Sequence, residues 1–118
     1  MGVTIYGIPN CDTMKKARAW LQAQGVAHVF HDYKASGIDA SRLQAWCRTL
    51  GWEQVLNRAG TTFRKLPQAD RDHLTEARAI ALMQAQPSLI KRPVLDVDGQ
   101  LTLGFRPETY AAACAAVR

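Results

Sequence analysis

The sequence predicts an α/β fold built on a mixed four-stranded sheet with a helical insertion. Three observations carry that expectation. A β-rich run, a helix-forming run and a second β-rich run follow one another up to Tyr33. The middle of the chain has helical periodicity and no clear β-run. Near the C-terminus two β-runs flank Asp98-Gly99-Gln100, and an alanine-rich tail follows.

Val3-Thr4-Ile5-Tyr6 alternates and reads as the first strand. Gly7-Ile8-Pro9-Asn10 is turn chemistry. A helix is expected over about Cys11–Gln24, with Asn10 or Asp12 as N-cap, Gly25 as the stop, and Met14, Ala17, Leu21 and Trp20 on the apolar face. Val26 to Tyr33 reads as the second strand. A strand–helix–strand unit of this length makes the two strands parallel.

Further on, Ser36-Gly37-Ile38-Asp39 is a loop, and Asp39 or Ser41 caps a helix over Arg42–Leu50 that presents Leu43, Trp46, Cys47 and Leu50. Gly51 ends it. A short helix is expected over Trp52–Leu56, a loop over Ala59-Gly60-Thr61-Thr62, and another helix over Leu74–Gln86 with Ala77, Ile80, Ala81 and Gln84 along it. Pro93–Val97 and Leu101–Gly104 form a hairpin, since Asp-Gly between β-runs is a hairpin signal. A last helix runs from Pro107 or Glu108 to about Val117. This order, β-α-β, helices, β-β-α, is that of thioredoxin-like domains. The 118 residues suit a single domain over 1–118 with the helical insertion at about 36–89.

Composition narrows the function classes. Hydrophobic residues make up 47% and charged residues 21%, which argues against disorder. No run approaches the roughly 18 apolar residues of a membrane span. The chain does not open on a basic stretch followed by a long apolar run, so no signal peptide is expected. A cytoplasmic location, no membrane partner and a monomer are the expectations. The net charge of +5 permits anionic partners, but no nucleic-acid recognition motif accompanies it. Three scattered cysteines, Cys11, Cys47 and Cys114, make neither a disulfide framework nor a C-x-x-C pair, and with His28, His31 and His73 they make no metal pattern.

Cys11 is the candidate nucleophile. It follows a strand and a turn and opens a helix, where free N–H groups and the helix dipole favour an anion. A thiolate is such an anion, so the placement lowers the thiol pKa. Isolated cysteines are usually small buried hydrophobes, and Cys47 and Cys114, on apolar helix faces, are expected to be structural. Lys15, Lys16 and Arg18 oppose the dipole in the first two helical turns at a cost of roughly a few tenths of a kcal/mol each; a site that attracts anions explains their presence. Asp12 beside Cys11 acts in the opposite sense.

Three basic segments join this cysteine. Arg92-Pro93 precedes a strand, and a proline there is a candidate cis bond. Arg106 stands just before the last helix. Arg58 and Arg64 lie in the insertion. The arginine fork suits carboxylates and oxyanions.

These residues resemble the arsenate reductase family of the glutaredoxin-coupled type, the ArsC/Spx/YffB group, and most closely its YffB-like branch. The resemblance covers essentially the whole chain. It rests on Tyr6-Gly7-Ile8-Pro9-Asn10-Cys11-Asp12-Thr13-Met14-Lys15-Lys16-Ala17-Arg18, Phe30-His31-Asp32-Tyr33, Asn57 through Leu66, and Ile90-Lys91-Arg92-Pro93. It implies a thioredoxin-like fold, Cys11 as nucleophile, Arg92 before a cis-proline, Arg106 as an anion-binding residue, and one insertion arginine, Arg58 or Arg64. The arsenate-reducing branch continues its cysteine with Gly-Thr-Ser-Arg, whereas this chain reads Asp12-Thr13-Met14-Lys15. The regulator branch often carries Cys-x-x-Cys, and Met14 stands in for its second cysteine.

The expected function is therefore that of a glutathione-dependent thiol or disulfide reductase with a single nucleophilic cysteine. Glutathione is a co-substrate, no cofactor is bound, and glutaredoxin or a protein mixed disulfide is a further partner. Cys11 is the catalytic residue; Arg92, Arg106, Arg58, Arg64, Lys15, Pro93 and Asn10 are the binding candidates. The alternatives are a glutaredoxin-coupled arsenate reductase and a redox adaptor that binds RNA polymerase.

Overall fold

The computed structural model of the chain describes residues 2–117. In chain order the elements are β1 (Val3–Gly7), α1 (Asp12–Ala23), β2 (Val29–Asp32), α2 (Tyr33–Ser36), α3 (Ala40–Leu50), α4 (Trp52–Val55), α5 (Thr61–Arg64), α6 (Gln68–Arg71), α7 (Glu76–Ala85), a 3-10 turn at Pro87–Leu89, β3 (Val94–Val97), β4 (Gln100–Leu103) and α8 (Pro107–Ala113). They fall into two compact units. One is built from the chain up to Ser36 and from Arg92 onward; the other runs from Gly37 to Lys91. The sequence expectation placed the insertion at about 36–89.

The first unit holds a four-stranded mixed sheet in the order β2-β1-β3-β4. The strands β1 and β2 are parallel, with Ile5 opposite Phe30, whereas β3 is antiparallel to both β1 and β4. The hairpin turn is Asp98-Gly99, with φ of +51° and +90°. Two successive positive φ angles are what a two-residue type I′ turn needs, and Asp-Gly supplies them at least cost. Asp96 Oδ1 accepts from Gly99 N at 2.7 Å and braces the turn.

One face of α1 closes the core. Met14, Ala17 and Leu21 are fully buried against Val3, Ile5, Val26, Leu95, Val97, Tyr110 and Cys114, with half-buried Trp20 at the border. Their spacing is that of a single helix face. Tyr110 on α8 meets Trp20 and Phe105 edge-on, at ring-centroid distances of 5.9 and 4.8 Å. Its hydroxyl is buried without a hydrogen-bond partner among the described residues. Leaving a buried hydroxyl unmatched costs about 1–3 kcal/mol. Tyr110→Phe is accordingly expected to stabilise the protein by about 1 kcal/mol, read as a rise in the urea midpoint; a clear loss of stability would show that the hydroxyl is satisfied.

The second strand is shorter than the sequence suggests, because helix α1 claims its first residue. Gly25 takes φ +68°, Val26 N donates to Leu21 O at 2.9 Å, and Gly25 N donates to Gln22 O at 3.1 Å. This pair of bonds is a Schellman cap, whose apolar contact joins Val26 to the helix's last turns. At the other end, Asp32 Oδ1 accepts from Lys34 N at 3.0 Å and Ala35 N at 3.1 Å. That side chain ends β2 and starts α2, so Tyr33 belongs to a helical turn and not to the strand.

The second unit holds α3 to α7. Asp39 occupies the N-cap position of α3, which buries Leu43, Trp46 and Cys47 and leaves Leu50 half-buried. Thr75 caps α7 by accepting from Arg78 N at 3.2 Å, two residues later than Leu74 would place the start. The buried residues of α7 are Ala79, Ile80 and Met83, while Ala77, Ala81 and Gln84 are exposed. Alanines on every side gave the expected face little direction. The Ala59–Thr62 loop gives way to α5 from Thr61, and α6 was not expected. Helix α8 ends at Ala113 rather than near Val117. Among the described residues no helix is long and apolar enough to cross a membrane.

Candidate active site

The site grows out of the first β-α junction. At the end of β1, a Cβ on Gly7 would come within 2.7 Å of Met14 Cε, so the strand end and the first turn of α1 pack directly together. The chain passes through Ile8, Pro9 and Asn10 to Cys11, whose extended φ of −133° and ψ of 127° make it the N-cap of α1. Neither Asn10 nor Asp12 takes that position. The helix starts one residue after the turn, and Asp12, its first residue, complements the dipole instead.

Cys11 is half-buried and free. Its side chain makes no capping hydrogen bond of standard geometry, but three donors act on the sulfur. Burial pushes the thiol up. The Met14 N–H, the Arg92 side chain, the Thr13 N–H and the positive charge of Arg92 outweigh that, and the pKa lies below the ordinary thiol value. The helix N-terminus and an adjacent cation are the two agents that stabilise a thiolate.

Arg92 is half-buried and forms a cis peptide bond with buried Pro93. Gly104 N donates to Pro93 O at 2.9 Å and ties the end of β4 to this segment. A residue absent from the sequence-based set also joins the site. The Arg92 side chain donates to the hydroxyl of Tyr33, whose pKa burial raises; Arg92 lowers it and the Cys11 charge raises it further. Tyr33 is fully buried. Its sequence signals were its place in the Phe30-His31-Asp32-Tyr33 segment of the resemblance and the Asp32 side chain that precedes it, a turn-capping residue at the end of a β-run.

The other expected site residues are placed as follows. Asn10 is exposed and lines a cleft of about 240 Å³ with Ile8, Pro9, Asp32, Lys34 and Ala35. Lys15 is exposed one turn into α1. Arg106 is exposed at the N-cap of α8, and its carbonyl accepts from Thr109 Oγ1 at 2.9 Å. Arg58 and Arg64 belong to the second unit. The Arg58 guanidinium lies 5.8 Å from the Trp52 ring centroid, and Arg64 donates to Ala59 O at 2.7 Å. Arg18 is engaged too, 4.3 Å over the ring of Phe30. A larger hollow of about 490 Å³, walled by Arg18, Gln22, Gly25, Val26, Ala27 and His28, lies at the far end of α1 and has no thiol in its lining.

The remaining cysteines differ from Cys11. Cys47 is buried, and burial together with Glu76 pushes its thiol up to about 11. Cys114 is fully buried.

Fold and site define a thioredoxin-like α/β protein with a stabilised cysteine at the start of its first helix. The chain belongs to the ArsC family, whose sequence pattern matches residues 6–113. It is similar to the YffB protein, at 60% identity over 94% of this chain and 97% of that one, with a TM-score of 0.91. An arsenate reductase (ArsC) related protein from Brucella melitensis is 59% identical over 95% of this chain and 93% of its own, with a TM-score of 0.77. The global transcriptional regulator Spx of Listeria innocua is 26% identical over 108 residues, 90% of this chain and 82% of the regulator.

Proposed function

We propose that the chain is a glutathione-dependent thiol or disulfide reductase that works through Cys11. The observation that supports this reading most is the half-buried thiol at the N-terminus of α1 with the Arg92 side chain donating to its sulfur. The Cys11 thiolate attacks the glutathione sulfur of a mixed disulfide. A Cys11–glutathione disulfide forms, the original S–S bond breaks, and the leaving thiolate takes a proton from water. A second glutathione thiolate then attacks the glutathione sulfur held on Cys11. Oxidised glutathione leaves, and the Cys11 thiolate returns. The net result is one substrate thiol released reduced and one glutathione disulfide formed.

In this scheme Arg92 stabilises Cys11 as attacking and as leaving group. Arg106 and Lys15 supply charge for the glutathione carboxylates. Asn10 and Pro93, the chain neighbours of Cys11 and Arg92, border the bound tripeptide. The absence of a second cysteine at Met14 makes glutathione the resolving thiol.

The test is the pH dependence of iodoacetamide alkylation, followed on the Cys11 peptide by mass spectrometry, with and without glutathione. The expected midpoint lies well below the free-thiol value of about 8.5, and glutathione slows the reaction; Cys47 and Cys114 stay unlabelled. A midpoint at or above that value, with no slowing, removes the proposal. Turnover of arsenate with glutathione and glutaredoxin would favour the arsenate reductase alternative, and capture of an RNA polymerase subunit the adaptor.

A further inference from the structure

We propose that Tyr33 is a positioning residue for Cys11: its buried hydroxyl accepts from the Arg92 side chain and holds that guanidinium against the sulfur. The inference rests on the reading of Cys11 as a working thiolate and adds a residue that acts on it through another.

Arginine carries five donors in a rigid fork, so one guanidinium can serve the thiolate and a second acceptor together. Left with the sulfur alone, its long side chain has many rotamers to sample. A second anchor restricts them, and the bond to sulfur is then formed at less entropic cost. Tyr33 suits that task for three reasons. It is fully buried, so its hydroxyl faces no competition from bulk water. Its backbone position is set by Asp32 Oδ1, which accepts from the N–H groups of Lys34 and Ala35 and fixes the turn in which Tyr33 stands. Burial also keeps the phenol protonated at neutral pH, so it accepts a bond without adding a negative charge that would compete with Cys11 for the guanidinium. The charged and titratable groups that act on this phenol are Arg92, Cys11 and Asp32; on the sulfur, the charge that acts is that of Arg92. A phenylalanine would fill the same volume in the core, so packing alone does not account for the hydroxyl.

The test uses the full chain and the same alkylation readout. In Tyr33→Phe, the Cys11 midpoint is expected to rise by about half a unit, which slows alkylation about threefold at a pH below the midpoint; buried Cys114 stays protected, reporting an intact core. In an Arg92→Gln background, where the wild-type bond is already gone, Tyr33→Phe is expected to leave the midpoint where Arg92→Gln put it. An unchanged midpoint in the single variant overturns the inference, and so does an equal rise in both backgrounds, since the hydroxyl would then act on the sulfur without Arg92. A wild-type midpoint at the free-thiol value would instead overturn the reading of Cys11 itself, and the inference with it.

Discussion

Cys11→Ser is expected to lower glutathione-dependent reduction of a glutathionylated peptide by at least about a hundredfold, because a hydroxyl cannot form the sulfur–sulfur bond through which the exchange runs. The same substitution is expected to leave the fold intact. Cys11 is the N-cap of α1, and the N–H groups of Thr13 and Met14 act on its sulfur. Serine is among the strongest N-cap residues, with a hydroxyl able to accept from the free N–H groups of the first turn, and such caps contribute about 1 kcal/mol. Activity should therefore fall while stability changes little, because the hydroxyl cap replaces a thiolate that the same N–H groups and Arg92 stabilise. A thermal melt and a coupled glutathione assay on one preparation decide it. Retained turnover would end the proposed chemistry, whereas a large loss of stability would show that the sulfur packs as a core atom. In the natural chain the Cys11 thiolate takes the capping role, with the N–H groups of Thr13 and Met14 acting on its sulfur.

Leu21→Ala carries the largest expected stability cost. Leu21 is fully buried on the core face of α1, in the cluster that includes Val3, Ile5, Val26 and Leu95. Truncating such a leucine loses its transfer energy and leaves a cavity, at about 2–5 kcal/mol. That is a large part of the roughly 5–15 kcal/mol that holds a domain folded, and it corresponds to a melting point lower by about 10–20 °C for a chain of this size. Leu21 stands ten positions along α1 from Cys11, about 15 Å of helix. The pH midpoint of Cys11 alkylation should accordingly be unchanged below the melt. A cost under about 1 kcal/mol would mean that the cluster repacks; a shifted midpoint would mean that the two ends of the helix are coupled.

The features legible in the sequence were those with short-range causes. Strand β1, the three-residue core stripe of α1 and the Gly25 stop each follow from a local pattern. The Asp98-Gly99 hairpin is the clearest, since its two positive φ angles belong to that dipeptide's own backbone preference. Cys11 was legible for the same reason: a strand, a turn and a helix start can be read within a dozen residues. Arg92 was legible as a residue beside a proline at a strand start, but its bonds to Cys11 and Tyr33 join residues far apart in the chain.

The misreadings have the opposite character. Val26 looks like a strand residue by type, yet a Schellman cap binds its N–H to Leu21. Tyr33 looks like the end of the same strand, yet the Asp32 carboxylate caps the turn that follows, and Tyr33 opens α2 with its side chain buried. Of the residues expected along helix α7 only Ile80 is buried, because alanine is accepted on either side, and contact with neighbours selects Ala79 and Met83 beside it.

By itself, then, the sequence determined the α/β order of elements, the placing of a cysteine at a helix start and the turn that closes the C-terminal hairpin, because each depends on backbone preferences and polarity within a few residues. Only the tertiary structure decided which cation meets the sulfur and what holds that cation. Those choices depend on burial and on hydrogen-bond geometry between segments brought together by the sheet, and no local pattern encodes them.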